Sequence, residues 1–320
     1  MKQAIPGGLD SHLELDDVGV RLLVRAFYRC LLGREPDPQG FEHNVERLHG
    51  LGGFRGVEQM LSSFMAGSEF TRRQKERYGA LSLATEDLHS GDASVEISSI
   101  VSLGTHCYTS AMLKRNGLKR FSGPFDWVFS STAMVRHCLE DDFRTFLDRG
   151  HYEPVAGEQR KEPSHGRCEH RFYRENFGVR SLFNHHDAAT DEHHGYFARC
   201  VERFRSCAAG NGRPLFVQCL RERSDAVREF EATVQVLDRV TRGGVLNVFV
   251  VAQEPHGGVM PELTLAHEVG HHRLYRLGPV SHWRSLAFDD AMDEVAIVRA
   301  LRRYPLRLAP AEARRGTTLR

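Results

Sequence analysis

The chain has no long apolar run, almost no net charge and no cysteine framework. Each absence removes a class of protein. No stretch approaches the roughly 20 apolar residues that a membrane span needs, so no span is expected. Forty-three basic residues stand against 42 acidic ones, and no basic run is interleaved with aromatics. A net charge of +1 therefore gives no reason to expect a nucleic-acid or membrane-surface partner. The seven cysteines are odd in number and form no Cys-x-x-Cys pair, which points to reduced thiols and a cytoplasmic setting. Residues 1–17 carry no apolar core of the kind a signal peptide needs. Residues 302–320 are a short Arg-rich end that reads as a solvated tail, with 306–320 lying outside any domain.

What is present divides the 320 residues into two parts. Residues 14–78 read as a small all-helical module. Val20, Leu23, Val24, Phe27, Tyr28 and Leu31 recur at helical spacing and make one apolar stripe. Gly33 ends that helix, and Pro36, Asp37 and Pro38 make the turn. Phe41, Val45 and Leu48 define a second helix. Val57, Met60, Leu61, Phe64 and Met65 define a third, and Ser68 caps a fourth. Residues 79–95, rich in Ser, Ala, Gly and Asp, read as a linker.

From residue 96 to 305 strand-like and helical runs alternate, which predicts an α/β domain with an open, mostly parallel sheet. Strands are expected at 97–103, 215–219, 245–252 and 273–277. Helices are expected at 133–147, 197–208 and 224–240. Residues 150–195 are polar and His-rich, and their pattern assigns no element.

The first expected strand runs into Gly104-Thr105-His106 and then Cys107, where an amphipathic helix should open. A helix N-terminus carries partial positive charge and unpaired N–H groups. A thiol there ionises more easily, and the thiolate is the nucleophile. Cys107 is therefore the candidate reactive centre. Backbone N–H groups of residues 105–108 are candidates for an anion hole. A thiol nucleophile needs a base within reach and a third group to orient that base. His186 is the expected base, with His185 next. Asp126, held between Phe125 and Trp127, is the better candidate orienter, and Asp187 is the other. The alternative for Gly123–Trp127 is a packed corner in which Asp126 caps nearby backbone.

A second pattern makes a different enzyme. His267-Glu268-Val269-Gly270-His271 has the His-Glu-x-x-His form. On a helix both imidazoles, four apart, grip one zinc while Glu268 activates water. Leu274 and Leu277 leave that pattern without a third ligand nearby, and Glu294 is the distant carboxylate that remains. His185, His186, Asp187, Asp191, His193 and His194 form a further polar cluster, and His165, Cys168 and His170 another. A solvated His-rich loop accounts for both as well as a metal does.

Two resemblances add to this. Ala26-Phe27-Tyr28-Arg29-Cys30-Leu31-Leu32-Gly33-Arg34-Glu35-Pro36-Asp37-Pro38-Gln39-Gly40, with Phe64-Met65-Ala66-Gly67-Ser68-Glu69-Phe70, resembles a bacterial helical module of unknown function over about residues 18–75. That resemblance implies an accessory or docking role toward a protein partner, beside surface-glycan or envelope enzymes, and supplies no catalytic residue. Ser102-Leu103-Gly104-Thr105-His106-Cys107, Phe121-Ser122-Gly123-Pro124-Phe125-Asp126-Trp127 and His186-Asp187 resemble the bacterial family described as "putative papain-like cysteine peptidase" over about residues 97–280. It implies a cysteine hydrolase of peptides or other acyl substrates that needs no cofactor. The alternatives are a zinc peptidase and a non-catalytic binding protein.

Overall fold

The computed structural model describes residues 16–74, 76, 94–160 and 165–308. The expected linker at 79–95 and the tail at 306–320 lie almost wholly outside the described residues. The chain divides into two compact units, Met1–Leu83 and Ala84–Arg320.

The first unit is helical. α1 (Asp17–Phe27) is capped by Asp16 and passes directly into a π-helical turn, Tyr28–Leu32, which Gly33 closes at φ +63°. α2 (Pro38–Leu51) starts with Asp37 as its cap and proline in the first turn. α3 (Gly53–Ala66) and a short α4 (68–74) complete it. Val20, Val24, Phe27, Tyr28, Val45, Leu48 and Met60 form its core. Arg34 explains much of the sequence signature. Its guanidinium grips Glu69 through two hydrogen bonds of 2.6 and 2.9 Å and lies over the Tyr28 ring. Its approach to Asp37 is longer, at 3.7 Å.

The second unit is a layered α/β structure. Five strands lie in the order β1 (Ser99–Ser102), β4 (Pro214–Arg221), β5 (Val245–Val251), β7 (His272–Gly278) and β6 (Glu262–Val269). The first four are parallel, and β6 returns antiparallel on β7. Strands β4 and β5 are near-continuous Val, Leu and Phe runs, as strands covered on both faces must be. Phe216, Leu220, Leu246, Val248, Val250 and Leu274 point into one large core shared with α6 (Thr132–Glu140), α8 (Asp191–Ala209) and α9 (Ala226–Val240). On the opposite face α5 (Tyr108–Arg115) follows β1, and α10 (Ala291–Leu301) closes the described chain. No helix among the described residues is long and apolar enough to cross a membrane.

Several sequence expectations change here. The helix expected at 133–147 stops at Glu140, because Asp142 and Phe143 take positive φ values of 52° and 58°. The unassigned 150–195 stretch contains a small antiparallel pair, β2 (Tyr152–Pro154) and β3 (Cys168–His170), then α7 (Arg171–Phe177). Part of the His-rich cluster is not loop. Thr190 caps α8, and His193 and His194 lie in its first turns.

The largest correction concerns His267, Glu268 and His271. They lie on a β-hairpin. β6 alternates half-buried Leu263, Leu265 and His267 with exposed Thr264, Ala266 and Glu268, a period of two rather than 3.6. Val269 pairs with His272, and Gly270, at φ +57°, and His271 form the turn. The shared helical face that would bring both imidazoles to one zinc is not formed. His267 instead contacts Glu231 at 2.8 Å, and Glu268 lies 3.5 Å from Arg273. Glu294 binds Arg115 and Asn116 far along the chain.

Candidate active site

The site begins where β1 ends. Leu103 is followed by Gly104 at φ +75° and Thr105 at φ +83°. A β-branched residue in that region is strained and persists only when its surroundings hold it. Three hydrogen bonds do so. The Thr105 N–H donates to Ser130 Oγ at 3.0 Å, its hydroxyl donates to the Cys219 carbonyl at 2.9 Å, and its carbonyl accepts the Ser130 N–H at 3.0 Å. Gly104 is required for a second reason. A Cβ there would stand 2.7 Å from Ser130 Oγ and 3.1 Å from Phe125 Cβ. The chain thus turns sharply from strand to helix and delivers Cys107 at the N-cap of α5.

Cys107 is 5 % exposed. Its sulfur makes no capping bond to α5, and instead lies 3.5 Å from His185 Nε2. Asn184 Nδ2 lies 3.4 Å from the same nitrogen. Both neighbours are donors, so the tautomer that satisfies them keeps its proton on Nδ1 and leaves Nε2 as acceptor. Asn184 is fixed in turn, because its carbonyl accepts the Gly166 N–H at 2.8 Å. Trp127 and His165 approach the His185 ring edge-on, at 6.4 and 4.9 Å.

The electrostatics correct one expectation. Burial pushes the Cys107 thiol up to about 11, and the Asp126 charge adds to that push. The helix end does not overcome desolvation. Burial also lowers His185, helped by His165 and Arg167. Both shifts favour the neutral thiol and neutral imidazole over an ion pair.

The other predicted residues do different work. His186 stacks on Tyr196 at 4.8 Å, with His193 and Phe197 beside it. Burial holds it near 4. Asp187 makes a turn into α8. Its carboxylate accepts the Ala189 N–H at 3.2 Å, and its own N–H donates to His193 Nδ1. Asp126 is 2 % exposed and meets no imidazole among the described residues. It accepts the Gly123 N–H at 2.7 Å and forms an ion pair with Lys119, which also donates to Ser110 Oγ. Burial raises its carboxyl, against the opposing pull of Lys119 and the Gly123 N–H. Asp126 is the lock of the packed corner, and Phe125 fills the core beneath it against Phe143, Phe146 and Phe204.

The expected anion hole is partly occupied. The Thr105 N–H is taken by Ser130, and the Tyr108 N–H donates to His106 Nδ1 at 3.2 Å. The N–H groups of His106 and Cys107 meet no intramolecular acceptor among the described residues. The His106 ring packs 4.8 Å from that of Trp283. The histidine and acid clusters do not converge. Asp191 pairs with Arg149 and His194 meets the Leu147 carbonyl, and no group of three metal-ligating side chains forms among the described residues.

Comparison with known proteins adds one finding. Residues 98–252, just under half of the chain, match the family model described as "Putative papain-like cysteine peptidase (DUF1796)". This part of the chain is similar to that family. The matched segment begins one residue before β1, ends one residue after β5, and contains Cys107, Asn184 and His185. No curated protein and no solved structure matches the chain. Papain-type enzymes carry their histidine about 130–150 residues after the cysteine. Here the paired residues are 78 apart, on a layered parallel sheet. Sequence reasoning ranked His185 second and missed Asn184 and the strained Thr105. A Ser-Leu-Gly-Thr turn after a strand was the available signal for Thr105. Nothing in Asn184-His185-His186 distinguishes the two rings until Tyr196 is seen to claim the second.

Proposed function

We propose that this protein is a cysteine-dependent acyl hydrolase with Cys107 as nucleophile and His185 as base. The 3.5 Å approach of Sγ to Nε2 carries this reading. The family match supports the reaction class.

The resting pair is neutral, so His185 acts as general base during attack rather than holding a preformed thiolate. Nε2 takes the thiol proton as the sulfur bonds the acyl carbon. The imidazolium then returns that proton to the leaving group as its bond to carbon breaks, which leaves a thioester. Water attacks the thioester, His185 accepts its proton, and the departing sulfur recovers it. The His106 and Cys107 N–H groups and the Asn184 amide are the donors available to the developing oxyanion. Thr105 keeps the turn rigid, so these groups stay aimed without reorganisation.

The helical unit is assigned a docking role toward a protein partner, on its Leu-Leu-Gly-Arg-x-Pro-Asp signature. The test of the catalytic reading is a panel of peptide, amide and ester substrates with intact-mass detection. A thioester adduct on Cys107 that is absent in Cys107→Ala and retained in Glu268→Ala is expected. Hydrolysis that survives Cys107→Ala and is lost in Glu268→Ala would contradict it.

A further inference from the structure

We propose that the cleft where β1 and β4 end is a subsite for an oxyanion on the acyl substrate, a phosphate ester or a carboxylate. The substrate assignment rests on reading Cys107 as the nucleophile. The cleft has a volume of about 780 Å³ and is lined by Thr105, His106, Ser130, Thr132, Arg221 and Arg223, among others. Its wall includes Thr105 and His106, the two residues that precede Cys107 in the turn.

The charges in the cleft are not balanced where they face it. Arg221 has no carboxylate partner among the described residues. It donates to the Trp283 carbonyl at 3.1 Å and lies over the Trp283 ring, which holds the guanidinium while leaving its charge uncompensated. Glu222 is turned toward Arg276 at 3.4 Å. Asp225 is engaged by Arg223 at 2.7 Å and Arg228 at 3.2 Å.

That engagement has a second effect. Asp225 is the N-cap of α9 yet makes no capping hydrogen bond, so first-turn N–H groups of α9 lack a side-chain cap beside the cleft. α6 begins at the same cleft with Thr132. Two helix N-termini and the arginines therefore favour negative charge in one place. Thr132 gives an independent sign. It is 2 % exposed, lines the cleft, and its hydroxyl has no hydrogen-bond partner among the described residues. A buried hydroxyl left without a partner is costly unless a bound group supplies one.

The experiment compares alkylation of Cys107 by iodoacetate and by iodoacetamide, reagents that share a leaving group and differ in charge. Site occupancy is read by peptide mass spectrometry at mildly alkaline pH, and the ratio of the two rates is divided by that of glutathione. The parent ratio should exceed the glutathione value by about tenfold, the effect of one charge-assisted hydrogen bond. It should fall to the glutathione value in Arg221→Gln/Arg223→Gln, and on addition of inorganic phosphate. Stronger competition by phosphate than by acetate assigns a phosphate ester, and equal competition assigns a carboxylate. A parent ratio equal to glutathione, or one unmoved by the arginine changes, overturns the subsite. Should Cys107 resist both reagents, the nucleophile reading fails separately. The cleft is then tested by calorimetric titration of Cys107→Ala with inorganic phosphate. Binding about tenfold weaker after Arg221→Gln supports the subsite, and unchanged binding overturns it.

Discussion

Cys107 Sγ stands 3.5 Å from His185 Nε2, and the adjacent His186 stacks on Tyr196. One ring serves the sulfur, and its neighbour serves the core. Because burial raises the thiol and lowers the imidazole, the pair rests neutral. Alkylation of Cys107 should therefore climb with pH between about 6 and 9, following the thiolate fraction. A rate that stays flat down to acid pH would reveal a preformed ion pair and contradict the general-base description.

Gly104 is the residue on which the strand-to-helix turn depends. Gly104→Ala places a methyl group against Ser130 and Phe125 at a φ that side chains rarely adopt. A loss of about 3 kcal/mol in unfolding free energy is expected from denaturant titration, together with slower acylation of Cys107. Full stability and full reactivity in this variant would remove the turn from the account.

Asp126 and Lys119 form a buried pair near the sulfur without touching the histidine. Removing one charge strands the other. Asp126→Asn or Lys119→Met should each lose about 3–5 kcal/mol, and a double-mutant cycle should show strong coupling. The pH profile of Cys107 acylation in folded Asp126→Asn should keep its shape. An altered profile at unchanged stability would make Asp126 the orienter of His185 instead of a structural lock.

Acid sensitivity follows from the buried histidines. Burial holds His106, His170 and His186 near 4 in the folded protein, against 6.5 when free. Between those values the unfolded chain binds more protons than the folded one, so stability falls as pH drops from about 6.5 toward 4. The urea midpoint should decline over that window and level off above it. His186→Phe keeps the ring against Tyr196 and should flatten part of the decline. A midpoint independent of pH over this range would contradict the buried neutral assignment.

The sheet was legible because strands such as 245–252 are apolar at every position but Asn247, and the turn at Gly104 announced where the first strand ends. The position of Cys107 followed from that turn. His185 was harder to choose, since two adjacent histidines carry equal chemistry and only packing from α8 separates them. Asp126 looked like the orienter of the histidine because a carboxylate between aromatics must have a partner. Its partner is Lys119, seven residues back, and a turn had to form before the two met. His267-Glu268-x-x-His271 misled for a clear reason: spacing has meaning only once the period is known. The alternation of Leu263, Leu265 and His267 already had the period of a strand.

The most direct test compares the rate of Cys107 acylation by an activated ester in the parent, His185→Ala and His186→Phe, followed by intact mass. The pairing of Cys107 with His185 predicts a fall of about 10²–10⁴ in His185→Ala and a near-parent rate in His186→Phe. Equal rates in the parent and His185→Ala, or a collapse confined to His186→Phe, would contradict it.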